Sequence, residues 1–314
     1  MKNIILDLDT GIDDSLALAL AVADENINLL AVCTTYGNVT TDNSCLNSRY
    51  ILDLLKQKDI PILKGLSHAL DSDEFIRNKV SARIHGDNGL GNLEVDLSIY
   101  KDIDFPFFEE PLLDLIKKYD NDLTIITTGP LTNMAYMIQK HPAEIKKVQE
   151  IITMGGALLF KGNVTSDAEA NIHQDPVAAK IVFESDIEKA IVPLDVTQKS
   201  RISVSDINKW ESLNKKESNF FSKMLYYYIN ENPCENECFV HDPSAVMFAI
   251  NPSLFTIIRK EITVLCNKEN YGRIVGNDNL IQKNNSLSKL CLDVNDKVIN
   301  QYINNTMLNF FKTL

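Results

Sequence analysis

No apolar run in the sequence approaches the roughly 20 residues needed to span a bilayer. At the N-terminus Ile4, Ile5 and Leu6 are interrupted by Asp7 and Asp9, too short a run for a signal-peptide core. No membrane association and a cytoplasmic location are therefore expected. Cysteine is sparse, at positions 33, 45, 234, 238, 266 and 291, which fits free thiols in a reducing compartment. Cys234 and Cys238 lie close together but lack a second Cys or His pair at zinc spacing, so no structural zinc is expected. Basic charge is short as well. The 31 Lys and Arg against 43 Asp and Glu leave −12, which opposes binding to nucleic acid or an anionic membrane. A small neutral or cation-assisted substrate suits this balance. Neither internal repeats nor Gly/Ser- or Pro-rich linkers divide the chain, so residues 1–314 are expected to form one large domain.

What recurs is an apolar run followed by a helical pattern. Residues 3–6 read as a buried strand and 13–23 as the helix after it. Residues 29–35 read as a second strand, with a helix over about 42–56. Residues 123–127 and 151–154 are further strands opening into Gly-containing turns, 175–184 is a helix, and 190–192 a short strand. Alternating strand and helix predicts an α/β fold, a mostly parallel doubly wound sheet flanked by helices. Residues of about 200–250 read as mostly helical, and the last 60 as mixed. Such sheets bind ligands beyond the carboxyl ends of their strands.

There the first strand runs into Asp7-Leu8-Asp9-Thr10-Gly11-Ile12-Asp13-Asp14. Carboxylates this close repel one another unless a cation or strong donors intervene. Helix capping and the helix dipole account for one or two of them at the N-terminus of the helix, but not for Asp9 as well. Gly11 permits the tight turn that returns Asp9 toward Asp13 and Asp14. Metal binding is expected, and oxygen-only ligands select a hard cation, magnesium or calcium.

Two families place such a segment at a first strand. The Asp7/Asp9 pair resembles haloacid-dehalogenase-type phosphatases, in which the first Asp is the nucleophile. The whole pattern, including the adjacent Asp13-Asp14, resembles the opening of the inosine-uridine nucleoside hydrolases. That second resemblance continues in order. It runs through Thr35-Tyr36-Gly37-Asn38, the loop from His85 to Gly91, and Thr128-Gly129-Pro130-Leu131-Thr132-Asn133. Met154-Gly155-Gly156, Asn163, Glu169-Ala170-Asn171, Asp175-Pro176 and Val240-His241-Asp242-Pro243 follow. Each block is a modest signal alone; the ordered series is specific.

The resemblance implies hydrolysis of the N-glycosidic bond of ribonucleosides to ribose and free nucleobase. It implies a Ca2+ cofactor held by Asp9, Asp14, the Thr128 carbonyl and Asp242, within the 6–8 oxygens that calcium prefers. Asp9 would be the general base and His241 the acid that protonates the leaving base. Asp13, Asn38, Met154, Asn163, Glu169 and Asn171 would bind ribose, and His85 would reach the nucleobase. A homodimer or homotetramer is implied too. A non-catalytic nucleoside- or ribose-binding protein is the remaining alternative, although none of the implied ligands, base or acid is missing. His68, His141 and His173 have no such context. Phe220, Phe221, Leu225, Tyr226, Tyr227, Tyr228 and Ile229 read as core. The family uses this region for base recognition, and which Tyr turns to the base is not decided by the sequence.

Overall fold

The computed structural model describes residues 1–232, 236–276 and 287–314; Cys234 lies outside them. Its centre is an eight-stranded sheet. In chain order the strands are β1 (Lys2–Leu8), β2 (Ile27–Thr34), β3 (Ile62–Lys64), β4 (Leu123–Thr127), β5 (Glu150–Met154) and β6 (Lys189–Val192). There follow β7 (Arg201–Ser203), β8 (Glu237–Phe239), β9 (Phe255–Lys260), β10 (Ile262–Leu265), β11 (Arg273–Gly276) and β12 (Ser288–Val294). The large sheet has the order β3-β2-β1-β4-β5-β6-β12-β9. All its neighbours are parallel except β12 and β9, so only one edge strand runs backward. The order reverses between β1 and β4, which opens a crevice at the carboxyl ends of the strands.

Strand alternation decides which layer each residue joins. In β1, Ile4, Leu6 and Leu8 enter the core shared with helices Ile12–Ala23, Lys216–Glu231, His241–Ile250 and Asp296–Thr313. Ile5 enters the opposite core, with helices Glu109–Tyr119, Thr132–Lys140 and Pro176–Glu184. Both faces are covered, hence the near-continuous apolar strands of a parallel sheet. β10 and β11 form a hairpin, and β7 and β8 a short antiparallel ribbon.

The helix expected at 175–184 is present as Pro176–Glu184, preceded by a separate short helix, Ala170–Gln174. Pro176 disfavours helical backbone at the residue before it, and the Asp175 carboxylate caps the new start by accepting from the Ala178 N–H at 2.9 Å. The mixed C-terminal region supplies a central strand: β12 inserts between β6 and β9. The helix after it, Asp296–Thr313, packs against the first helix and against Val204–Glu211. Its Phe311 is fully buried, with the rings of Trp210 and Phe221 at 5.6 and 5.5 Å. Phe311→Ala is expected to cost about 3–5 kcal/mol in urea unfolding. A loss below about 1 kcal/mol would show that this helix does not close the core.

Candidate active site

The crevice holds a cavity with an open volume of about 1040 Å³, lined among others by Asp13, Asn38, His85, Thr128, Met154, Asn163, Glu169, Asn171, His241 and Asp242. Of the residues singled out from the sequence, Asp9 and Asp14 do not line it. They lie beneath, joined to it through Asn38. The Asn38 N–H donates to Asp9 Oδ2 at 2.7 Å, and its side-chain Nδ2 donates to Asp9 Oδ1 at 3.2 Å and Asp14 Oδ2 at 3.0 Å. Gly37 makes this approach possible. Its φ is +150°, and a Cβ there would meet Asp9 Oδ2 at 2.0 Å.

The start of the first helix, Ile12–Ala23, forms the floor. The Gly11 N–H donates to Asp14 Oδ2 at 2.8 Å, and the Thr128 hydroxyl donates to Asp14 Oδ1 at 2.7 Å. The Ile12 N–H, one of the unpaired donors of a helix start, donates to His85 Nδ1 at 3.1 Å. His85 Nδ1 is thus an acceptor and Nε2 carries the proton. Burial, with Arg77 and His241 adding to it, lowers the His85 pKa to about 3, so the ring is neutral. Gly11 leaves room for it, since a Cβ would meet His85 Nδ1 at 2.5 Å.

Asp13, Asp14 and Asp242 place ligand oxygens within 4.8 Å of one another, and Asp242 arrives on the first turn of helix His241–Ile250. Together with Asp9 these side chains are 0–8% exposed. Burial and the neighbouring carboxylates raise the pKa of Asp9 and Asp242 well above the usual range, and bring Asp13 to about 7. Among the described residues no Lys or Arg lines the cavity to offset this charge. Asp13 Oδ1 is buried without a hydrogen-bond partner. An orphaned carboxylate oxygen beside two others is the donor set of a hard cation, so these residues fit a metal ion. The Thr128 carbonyl accepts from Asn171 Nδ2 at 2.7 Å and keeps a second lone pair.

The remaining wall mixes amides with apolar side chains such as Val80, Ile84, Leu194 and Phe239, and Glu169 is its carboxylate. Its Oε1 accepts from the Asn171 N–H at 2.9 Å, and Oε2 from Gly156 and Ile172 at 2.9 and 3.2 Å, which caps helix Ala170–Gln174. Asn171 Nδ2 also donates to the Met154 carbonyl at 3.1 Å, and Asn163 Oδ1 accepts from the Ala170 N–H at 2.9 Å. His241 is half-buried, its Nδ1 2.7 Å from Thr197 Oγ1, and desolvation of the ring lowers its pKa to about 4.

Of the three tyrosines, Tyr228 lines the cavity, together with Asn232, Gln198 and Phe239. Tyr227 Oη instead donates to the Arg83 carbonyl, and Tyr226 Oη reaches Asn208. His173, without context in the sequence, lines the opposite wall with Gln174. No periodicity signal could have found Gln198 or His173. Asp7 corrects the phosphatase alternative. It sits inside β1 at 1% exposure, where the strand and the bond from Asn133 Nδ2 at 2.8 Å hold it in the sheet, and it does not line the cavity.

A carboxylate-floored, amide-walled cavity at the switch point of a parallel sheet defines an α/β enzyme for a small polyhydroxylated substrate. The comparisons give the family. Residues 4–301 match the family described as inosine-uridine preferring nucleoside hydrolase, and the chain belongs to it. It is a ribonucleoside hydrolase, cleaving the N-glycosidic bond. The chain is 32% identical over 277 residues to the pyrimidine-specific ribonucleoside hydrolase RihA of Salmonella schwarzengrund, covering 83% of each. It is 30% identical over 271 residues to the probable uridine nucleosidase 1 of Oryza sativa, covering 84% of this chain and 82% of that one. Among solved structures, the purine-preferring ribonucleoside hydrolase from Gardnerella vaginalis superposes with a TM-score of 0.94 at 35% identity over the whole of both chains. No helix among the described residues is long and apolar enough to cross a membrane.

The floor makes stability depend on pH. Asp7 and Asp13 have pKa values of about 7 in the fold against 3.8 ordinarily, and Asp9 and Asp242 are raised in the same direction. Between these values the unfolded chain has released protons that the fold retains, so these four carboxylates lower stability as pH rises from about 4 to 7, outweighing the two neutral histidines, His85 and His241, which act in the opposite direction below about 6.5. With chelator, the thermal midpoint is expected to be lower at pH 8 than at pH 5. Calcium should raise it more at pH 8, where the carboxylates are free to ligate. A midpoint in chelator that is flat or rising with pH would contradict the buried cluster.

Proposed function

We propose that the chain is a calcium-dependent ribonucleoside hydrolase in which Asp9, Asp14, Asp242 and the Thr128 carbonyl hold the ion. The observation that carries this reading is the cluster of buried carboxylates at the cavity floor, where Asp14 and Asp242 lie together with Asp13, and Asp9 is joined to Asp14 through Asn38 Nδ2. When bound, calcium would neutralise the floor and orient the ribose 2′- and 3′-hydroxyls.

Asp13, whose carboxylate faces the cavity, accepts from a ribose hydroxyl, as does the lone pair left on Glu169 Oε1. Asn38, Asn163 and Asn171 add amide contacts that bring no positive charge near the anomeric carbon, and Met154 packs against the sugar. Fixing the ring this way suits an oxocarbenium-like transition state, whose positive charge the carboxylates stabilise. Asp9 takes a proton from the attacking water. Its Oδ1 has the longer bond to Asn38 and retains a lone pair. His241 delivers a proton to the leaving base. His85 Nε2–H donates to the nucleobase, and Tyr228 lies against it.

We further propose a cytoplasmic homo-oligomer, a dimer or tetramer. The sparse cysteine content suits a reducing compartment.

The test is ribose release from inosine, uridine, cytidine, adenosine and guanosine, with calcium or with chelator. Release is expected with calcium and not with chelator, and the rates rank the bases. Asp242→Asn and Asp9→Asn should each lower kcat by at least about 100-fold. Asp242→Asn should also weaken the calcium-induced rise in thermal midpoint. Turnover that survives chelation, or an unaffected Asp242→Asn variant, would defeat the assignment of the ion site.

A further inference from the structure

His241 is held by a residue that does not itself line the cavity. Thr197 ends the short helix Leu194–Thr197, is fully buried, and has Oγ1 2.7 Å from His241 Nδ1. We propose that Thr197 is the positioning residue that dedicates Nε2 of His241 to the leaving nucleobase; this rests on the hydrolytic reading above.

The surrounding backbone is built to keep this pair in place. Three residues separate Thr197 from β7, which pairs with β8 from Arg201↔Phe239 to Ser203↔Glu237. The Val240 N–H donates to the Ser200 carbonyl at 3.0 Å, closing the ribbon immediately before His241. Phe239 lies against the imidazole, with centroids 5.5 Å apart and planes at 33°, and the Arg201 guanidinium lies 5.0 Å from the Phe239 ring centre. One face of the imidazole is therefore packed and one nitrogen is tied. Nε2 is the nitrogen left for the cavity, which His241 lines.

The roles of the two nitrogens follow from proton balance. A ring that gives up its Nε2 proton must hold a second hydrogen on Nδ1 to avoid becoming an imidazolate, so the donating form is a minor, doubly protonated one and the resting ring is neutral. In the donating form the Nδ1–H is donated to Thr197 Oγ1, 2.7 Å away. The C1′–N electron pair departs with the base, which takes the proton from Nε2. Water adds its hydroxyl to C1′ and gives its proton to Asp9, and solvent returns that proton to His241. Without the hydroxyl, Nδ1–H loses a buried acceptor, and the ring is free to turn or to hold its proton on the wrong nitrogen.

The experiment compares nucleosides with 4-nitrophenyl β-D-ribofuranoside, whose leaving group departs as a stabilised anion and needs no proton. In Thr197→Val, kcat for inosine and uridine should fall about 30-fold or more, while hydrolysis of the nitrophenyl riboside stays within about 3-fold of the parent. Thr197→Ala should show the same split, so that a packing defect from the valine methyl cannot imitate it. Thr197→Ser should restore nucleoside turnover to within a few-fold. An equal fall on both substrate classes, no fall on nucleosides, or a serine variant as poor as valine would each overturn the proposal. A parent protein that hydrolyses neither class would instead overturn the hydrolytic reading.

Discussion

Four carboxylates buried at the end of one strand are the constraint that the rest of the structure answers. Asp9, Asp13 and Asp14 come from one tight turn, and Asp242 is carried to them by a helix from much later in the chain. Like charges in a dry setting repel, so the fold meets them with every neutral donor within reach. These are the Gly11 N–H, the Thr128 hydroxyl, and the backbone and side-chain amides of Asn38. The helix start itself adds a favourable dipole at Asp13 and Asp14. The donors leave one oxygen of Asp13 unsatisfied, the gap that a hard cation fits.

The same region separates two aspartates that look interchangeable in the sequence. Asp7 and Asp9 are two apart, yet Asp7 is still in β1, where its side chain meets Asn133, and Asp9 has passed the end of the strand. Being inside or outside the last strand pair is what divides a phosphatase reading from a hydrolase reading. Asp7 is tied into the sheet by its partner; Asp9 is tied to the loop that carries Asn38. A shift of the strand end by two residues would exchange these environments.

The walls show how differently local and remote information enter. The order of blocks from Asp7 to Pro243 was enough to identify the family, and the profile match over residues 4–301 agrees with it. The strands at 123–127 and 151–154 were legible because a parallel strand buried on both faces is a short continuous apolar run. β12 was not legible: its neighbours β6 and β9 are far away in the chain, and Ser288–Val294 mixes polar with apolar residues. The helix start at Asp175 was legible because an Asp followed by proline is a helix-start signal.

Tyr226, Tyr227 and Tyr228 mark the boundary. Their spacing placed them on a helix and the family resemblance placed that helix near the base, but consecutive helical residues point about 100° apart, and which one meets the cavity is set by how helix Lys216–Glu231 sits against the Lys79–His85 segment. The sequence by itself determined the carboxylate turn, the alternating α/β pattern and the family, because these rest on neighbours along the chain. Only the tertiary structure decided that Tyr228, Gln198 and His173 share a cavity and that Thr197 holds His241. Those contacts join separate elements, and their directions exist only once the helices are packed.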